Sequence, residues 1–126
     1  MDISKPRVLS ASTLTGDRVI NSMGEDLGKL EELMLDLDSG CVAYAVLSFG
    51  GILGIGDKLF AIPWDAIRVD TDRKVLVLDI DRDRLEQAPG FDKDNWPDTS
   101  DRDWLLEVYR FYGSEPYWQG RERVHR

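Results

Sequence analysis

The sequence predicts a mainly β domain, a small antiparallel barrel or sandwich, followed by a helical and aromatic C-terminal extension. Up to about residue 80 the chain consists of short apolar runs separated by Gly, Asp and Asn turns. Five or six strands at this spacing are typical of small all-β folds. Beyond Asp81 the apolar residues recur at helical spacing instead. The 126 residues are enough for one domain with its own hydrophobic core, which needs no metal or disulfide support.

The first predicted hairpin is centred on an Asp-Ser-Gly turn. Leu33, Leu35 and Leu37 alternate with other side chains, which is the period of a half-buried strand. The turn at 38–40 ends this strand because Asp and Ser bond to the local backbone and Gly tolerates positive φ. The apolar run at 42–49 then returns antiparallel to the first strand.

The remaining strands are predicted at residues 17–21, 28–32, 59–62, 67–69 and 75–80. We expect the first two of these to pair with each other, and the last two to form a second hairpin about the polar turn 70–74. Pro63 ends the strand at 59–62, because its ring removes the backbone donor that a sheet requires. Closure of the strands into a barrel would remove exposed sheet edges.

Two helices are predicted in the extension, a short one at about 82–88 and a longer one at about 100–112. The longer helix begins with Ser100 and Asp103, whose spacing resembles a capping box, and it ends at Gly113. We expect its aromatic face to cover either the barrel or a neighbouring subunit. The predicted organisation is an N-terminal segment (1–13), a β domain (14–80) and a C-terminal extension (81–126).

The charge balance excludes several classes of partner. Acidic residues outnumber basic residues by 24 to 16, which gives a net charge of −8. Sequence-independent binding to DNA or RNA and attachment to anionic lipid both rely on Lys and Arg, so we expect neither. No apolar stretch approaches the ~20 residues of a membrane span, and the first residues lack the apolar core of a signal peptide. We therefore predict a cytoplasmic protein without membrane insertion, for which docking on a membrane complex stays open.

Cysteine and histidine are too scarce for most catalytic or metal sites. Cys41 is the only cysteine and His125 the only histidine, which excludes an internal disulfide, a cysteine-based zinc site and a well-placed histidine base. Asp79, Asp81 and Asp83 alternate like the first ligands of a calcium loop, but the glycine and the glutamate that this loop requires are absent. We predict no catalytic residue, no cofactor and no metal.

A glycine-rich run at 50–56 carries three large aliphatic side chains. It lacks the Gly-Lys-Ser/Thr ending of a phosphate-binding P-loop, and Asp57 would repel phosphate. Glycines cannot shelter Ile52, Leu53 and Ile55. The loop therefore either folds over the barrel mouth or forms an apolar patch that binds a partner, and these three residues are candidate interface residues.

Aromatic residues of the longer helix and the tail complete the candidate interface. In the tail, two aromatic residues precede Arg121 and Arg123, and this composition is typical of binding hot spots. The alternative to partner binding is that the same aromatic residues cap the hydrophobic core. Whether the tail packs on its own chain or on a neighbouring subunit stays open. The candidates are Trp104, Tyr109, Tyr112, Tyr117 and Trp118.

Several motifs resemble the PRC-barrel domain over about residues 14–80. They are Gly24-Glu25-Asp26-Leu27-Gly28-Lys29-Leu30, Leu35-Asp36, Ser39-Gly40, Gly50-Gly51, Gly54-Ile55-Gly56-Asp57-Lys58 and Ile62-Pro63-Trp64. That family is named for the cytoplasmic domain of the photosynthetic reaction-centre H subunit and includes the C-terminal domain of the ribosome maturation factor RimM. Residues 89–98 and 112–118 look like the extension of small stand-alone bacterial members. The resemblance implies a small, strongly bent β-barrel that serves in interaction and assembly without catalytic residues.

Together these observations predict a non-enzymatic protein-interaction or assembly module. We expect it to self-associate as a homodimer or another homo-oligomer, while its further protein partners and its process stay open. The resemblance also implies an alternative, a ribosome-assembly accessory, and the net acidity suits a basic ribosomal protein better than RNA. A small-ligand carrier is the third reading, although a barrel of five or six strands is normally filled by its own side chains.

Overall fold

The computed structural model of the chain describes residues 7–49, 58–98 and 101–119. The predicted glycine-rich loop, with Ile52, Leu53 and Ile55, lies outside the described residues. The strands are β1 (Arg18–Ile20), β2 (Asp26–Leu35), β3 (Val42–Ser48), β4 (Lys58–Ile62), β5 (Ile67–Asp70), β6 (Val75–Leu78) and β7 (Gly90–Asp92). The helices are α1 (Ala11–Leu14), α2 (Arg82–Leu85) and α3 (Arg102–Phe111), and a 3₁₀ turn spans Trp64–Ala66.

The described strands form one sheet in the order β5-β6-β1-β2-β3-β4-β7. The predicted hairpins about the turns 38–40 and 70–74 are both present. The pair β1–β6 is parallel, with Val19 opposite Leu76, and the other neighbouring pairs are antiparallel. The predicted mainly β fold with a helical C-terminal extension is therefore confirmed. Its parallel pair departs from the antiparallel expectation, because these two strands are joined through four intervening strands rather than by a tight turn.

Side chains from five of the strands meet in one buried cluster, so the sheet bends around a common core in the manner of a barrel. Leu14 of α1 and Leu85 of α2 pack into this cluster as well, and both are buried. The buried members are Leu14, Val19, Leu27, Leu30, Ala45, Leu47, Phe60, Ile62, Leu76, Leu78, Leu85 and Ala88.

The central strands β3 and β4 are buried on both faces. Ala45 and Leu47 of β3 join the interior cluster, whereas Tyr44 and Val46 join a second cluster on the opposite face, together with residues of α3. The residues of β4 alternate between the same two clusters. A strand that is covered on both sides has no solvent face, which explains why the run 42–47 is continuously apolar.

The predicted half-buried face of β2 is wrong at its far end. Leu33 is partly buried, but Leu35 is 59% exposed, and Leu37 in the turn is 89% exposed. The pairing of β2 with β3 shifts register between Met34 and Leu35, so the alternation is interrupted where the strands approach their turn. Both leucines consequently lie on the surface of the hairpin.

Gly28 is a point of close approach between the backbones of β2 and β3. Its φ is +134°, and a Cβ atom there would lie 2.1 Å from the carbonyl oxygen of Ser48. No other residue type has both this backbone freedom and this lack of volume. Glycine at position 28, within the motif at residues 24–30, is therefore required by the close packing of the two backbones.

The turn between β1 and β2 is organised by Asn21, a buried amide that the sequence interpretation missed. Its Oδ1 accepts hydrogen bonds from the backbone N–H groups of Met23 (3.0 Å) and Glu25 (2.9 Å). Its Nδ2 donates to Glu25 Oε1 (2.7 Å) and to the carbonyl oxygen of Ile80 (3.1 Å). The side chain therefore connects this turn to the chain just beyond β6.

Two details of the extension differ from the prediction. The N-cap of α3 is Asp101, whose side chain accepts a hydrogen bond from the backbone N–H of Trp104, whereas the predicted cap Ser100 lies outside the described residues. β7 was also not predicted, and it adds to the sheet beside β4 with Phe91 opposite Leu59. Its three residues are too few to show a periodic pattern.

Candidate functional site

α3 is fixed on the outer face of β3 and β4 by its apolar side. Leu105, Val108 and Tyr109 are buried in the second cluster, where they meet residues of the sheet. The Tyr109 hydroxyl donates a 2.6 Å hydrogen bond to the carbonyl oxygen of Ala43, and burial raises the pKa of this phenol. The helix thus covers its own barrel in this chain, which is one of the two arrangements expected for its aromatic face.

The end of α3 turns the chain back toward the sheet. Ser114 N–H donates to the carbonyl oxygen of Tyr109 (3.0 Å), and Gly113 N–H donates to that of Arg110 (3.1 Å). Gly113 has a φ of +68°, so the three features together form a Schellman motif. This motif turns the chain so that residues 114–119, the tail segment, pack beside the Tyr109 ring of α3.

The tail segment is held against the first hairpin by two aromatic residues. The Tyr117 hydroxyl donates a 2.5 Å hydrogen bond to Asp36 Oδ2, across a separation of 81 residues. Trp118 lies under the Arg102 guanidinium, 4.7 Å from carbon to ring centroid, and both aromatic rings lie 6.2 Å from the ring of Tyr109. Contacts between rings at such distances stabilise aromatic clusters, so the tail has a defined place.

A groove of about 420 Å³ lies between the first hairpin and the tail segment, and we call it the hairpin–tail groove. One wall is the hairpin at residues 34–38, and the other is formed by Arg102, Tyr117 and Trp118. Ala43, Tyr44 and Leu105 complete the lining. The exposed Leu35 and Leu37 are part of the hairpin wall.

The charged groups of the groove differ in whether they have hydrogen-bonding or oppositely charged partners. The hydrogen bond from Tyr117 is the main cause that lowers the pKa of Asp36, and the backbone N–H groups of Ser39 and Asp38 and the charge of Arg102 act in the same direction. Burial, followed by the hydrogen bond to the Asp36 carboxylate, raises the pKa of Tyr117. Among the described residues, the exposed carboxylate of Asp38 has no such partner.

Tyr44 is a buried residue of the groove lining, and its side chain is only 4% exposed in relative terms. Its hydroxyl is inaccessible to solvent and has no hydrogen-bond partner within the described ranges. The ring packs edge-on against Trp104 at 5.5 Å, which fixes its position. Burial raises the pKa of Tyr44, so the hydroxyl is neutral.

The predicted interface residues are separated by the structure. Tyr117 and Trp118 line the groove, and Trp104 supports Tyr44 behind it. Tyr109 is 2% exposed and belongs to the interior of the subunit. Tyr112 lies beside a different cavity, near the end of α3.

Sequence reasoning did not select the hairpin wall, Tyr44 or Arg102. The sequence carries only a weak signal for these residues, because the exposed leucines of the hairpin wall follow the same alternating pattern as buried leucines. Asp36 and Tyr117 are brought together only by the fold.

The second cavity is an open space of about 790 Å³ between α2 and the end of α3. The guanidinium of Arg84 is already engaged there, since it stacks on Phe111 at 4.4 Å and donates to the carbonyl oxygen of that residue. Asp79 accepts a hydrogen bond from Ser22. The Tyr112 hydroxyl lacks a partner in the part of the chain that the structure describes, but its residue is less completely buried than Tyr44.

Within the described residues, no three His, Cys, Asp or Glu side chains are grouped so that they could hold a metal ion. No helix in the described part of the chain has the length and apolar character needed to cross a bilayer.

The comparison with protein families decides the classification, because a model described as the PRC-barrel domain matches residues 6–85. The chain belongs to the PRC-barrel domain family. A search of curated proteins finds no match. Among solved structures, one match is the crystal structure of a putative 16S ribosomal RNA processing protein, RimM, from Pseudomonas aeruginosa. The two are 20% identical, with a TM-score of 0.44, over 66% of this chain and 50% of that one, so this chain spans about half the length of that protein.

The PRC-barrel match divides the hairpin–tail groove into two parts. The hairpin wall and Tyr44 lie inside residues 6–85, whereas Arg102, Tyr117 and Trp118 lie beyond them. The groove therefore forms where the PRC-barrel meets the extension of this particular chain. A barrel without this extension would lack the second wall.

Proposed function

We propose that this PRC-barrel protein is a non-enzymatic protein-interaction and assembly module, which binds protein partners and associates with copies of itself. The observation that carries the proposal is the exposure of Leu35 (59%) and Leu37 (89%) on the rim of the hairpin–tail groove. Large exposed apolar side chains beside a groove mark interaction surfaces. Burial of one leucine side chain at an interface contributes about 1.5 to 3 kcal/mol.

The opposite wall has the composition of a binding surface. Tyr, Trp and Arg are the residue types enriched in binding hot spots, and this wall consists of Tyr117, Trp118 and Arg102. The hydrogen bond between Tyr117 and Asp36 holds this wall against the hairpin before any partner arrives. A preformed surface loses less conformational entropy on binding, which favours affinity.

The test compares two matched variants of the tagged 126-residue chain. Leu35→Ser with Leu37→Ser removes the apolar rim, and Met23→Ser is the control because Met23 is 79% exposed and does not line the groove. Sedimentation velocity over a concentration series measures self-association, and affinity capture with quantitative mass spectrometry measures partner recovery. We expect wild type and control to sediment as oligomers and to recover a partner, and we expect the double variant to lose the partner. Equal behaviour of wild type and double variant would remove the groove from the proposal, and a monomer that captures nothing would refute the function itself.

A second candidate is a ribosome-assembly accessory that binds a basic ribosomal protein. The net charge of −8 favours it, because an acidic chain attracts a basic partner and repels RNA. Cosedimentation with ribosomal subunits at low salt, lost at moderate salt, is the expected result. Absence from the subunit fractions at low salt would exclude it.

A further inference from the structure

We propose that the hairpin–tail groove is the docking site for an extended peptide segment of another protein, in which a large apolar side chain is followed closely by Lys or Arg. This inference rests on the proposed function and specifies the chemistry of the partner. Three features of the groove carry it, namely its apolar rim, its unbalanced negative charge and the unpaired hydroxyl of Tyr44.

The apolar rim selects a large apolar side chain. Leu35 and Leu37 stand on the hairpin wall, and the indole of Trp118 stands on the other. A groove of about 420 Å³ has the volume for one or two side chains and not for a folded domain. An exposed segment of a partner fits this space, and the partner's own fold stays outside it.

The charges of the groove select a cation beside that apolar group. Asp36 is satisfied by Tyr117, by two backbone N–H groups and by nearby Arg102. Arg102 in turn lies over Trp118. The carboxylate of Asp38 stays exposed and unpaired among the described residues, in a chain of net charge −8, so a Lys or Arg of the peptide finds a complementary group on the rim. An acidic peptide meets repulsion instead.

The hydroxyl of Tyr44 favours an extended main chain. A buried hydroxyl without a partner is uncommon in folded proteins, because its desolvation is uncompensated. An extended peptide carries backbone N–H and C=O groups that are free of intramolecular hydrogen bonds, and either can pair with a hydroxyl. Because this hydroxyl is inaccessible to solvent in the free chain, a peptide group reaches it only if the groove lining shifts as the peptide enters, and binding would then supply the partner that Tyr44 lacks.

The experiment starts from a phage-displayed library of random dodecapeptides panned on the 126-residue chain. The most enriched sequence is then synthesised with a fluorophore, and its Kd is measured by fluorescence anisotropy. We expect enrichment of an apolar residue next to Lys or Arg, with affinity that falls as salt is added. The variants are Leu37→Asp, Asp38→Lys and Tyr44→Phe, and Met23→Asp is the control on a distant exposed position.

The variants have distinct expected effects. Leu37→Asp should raise Kd at least about tenfold, and Asp38→Lys should raise it severalfold and flatten the salt dependence. Tyr44→Phe should raise Kd about two- to tenfold, the effect of one neutral hydrogen bond, without lowering the thermal midpoint of the free protein. A raised Kd together with an unlowered thermal midpoint shows that the Tyr44 hydroxyl contacts the ligand and does not merely support the fold. The Met23→Asp control should stay within about twofold of wild type.

Several outcomes would overturn the inference. Enrichment of acidic peptides, enrichment of nothing, or peptide affinity insensitive to Leu37→Asp would each reject a groove for apolar–basic segments. The proposed function survives these outcomes if the full chain still captures a partner or self-associates in a Leu35- and Leu37-dependent way. A second copy that occupies the groove and competes with the selected peptide would replace the peptide as its natural occupant and reject the inference.

Discussion

The strand β3 and the tip of the hairpin that it forms with β2 both carry large aliphatic side chains, but these side chains are buried in the strand and exposed at the tip. In β3 both faces are covered, one by the barrel interior and one by α3, and Leu47 is 2% exposed. At the tip no described residue covers Leu37, which is 89% exposed. The difference lies in what packs against each residue rather than in its type. Apolar residues that the fold leaves uncovered are therefore the informative ones here.

The largest effect is expected at Gly28, where the backbones of β2 and β3 approach closely. Gly28→Ala would force a Cβ against the Ser48 carbonyl oxygen in a backbone region that alanine avoids, so we expect a loss of at least about 3 kcal/mol in unfolding free energy, or failure to fold. The matched control is Gly24→Ala, where φ is +86° but no atom lies within 4 Å, and its loss should be about 1 kcal/mol. Urea unfolding measures both. Equal losses would show that backbone conformation alone, and not the close approach, requires Gly28.

Truncation of two leucines tests the contrast between the buried strand and the exposed tip. Leu47→Ala leaves a cavity in the interior cluster and should cost about 3 kcal/mol, whereas Leu37→Ala should change the unfolding free energy by less than about 0.5 kcal/mol. Denaturant titration of the two variants side by side is sufficient. A large loss at Leu37 would mean that the tip is covered in solution by another part of the assembly.

Two buried tyrosines differ in whether the hydroxyl has a hydrogen-bond partner among the described residues. Tyr109→Phe leaves the Ala43 carbonyl oxygen without its partner and should cost about 1 to 2 kcal/mol. Tyr44→Phe removes a hydroxyl that has no partner in the described chain, and it should leave the unfolding free energy unchanged or raise it. Thermal unfolding of both variants checks the difference. A destabilised Tyr44→Phe would reveal a hydrogen bond in the free protein.

The smallest effect is expected from pH at the junction of hairpin and tail. The pKa of Asp36 is lowered mainly by the Tyr117 hydroxyl, so this contact stabilises the fold above the ordinary aspartate pKa and is lost as pH falls through the lowered value. Wild type should therefore exceed Tyr117→Phe in urea midpoint at about pH 6, and the gap should narrow toward about pH 3. A difference in urea midpoint that is constant over this range would mean that the Tyr117 hydroxyl stabilises the fold equally whether Asp36 is charged or neutral.

Much of the fold follows from local patterns. The apolar run that became β3, the Asp-Ser-Gly turn and the helical spacing of α3 are each determined by near neighbours, and all three are present. β7 escaped prediction because three residues beside a proline have no period, and they are a strand only because the edge of β4 is available to them. Burial of the outer face of β3 likewise depends on α3, more than fifty residues later in the chain.

The groove was less predictable than the fold. Leu35 is exposed where the hairpin shifts register and Leu37 is exposed in the turn, and alternation in sequence reveals neither feature. The bond between Asp36 and Tyr117 joins two residues 81 positions apart, and the orphan hydroxyl of Tyr44 is a property of its surroundings. The composition of the tail indicated Tyr117 and Trp118 as candidates for a binding surface. Composition does not show which part of the fold lies opposite them.

The parallel pairing of β1 with β6 has a consequence for synthesis of the chain on the ribosome. β1 is an interior strand of the sheet, yet one of its two neighbours, residues 75–77, emerges more than fifty residues later. Until then a nascent chain exposes an unpaired edge of β1, and such edges invite pairing between molecules. Completion of the barrel is therefore a late, long-range event, and premature termination before residue 75 should yield aggregation-prone fragments rather than a smaller stable barrel.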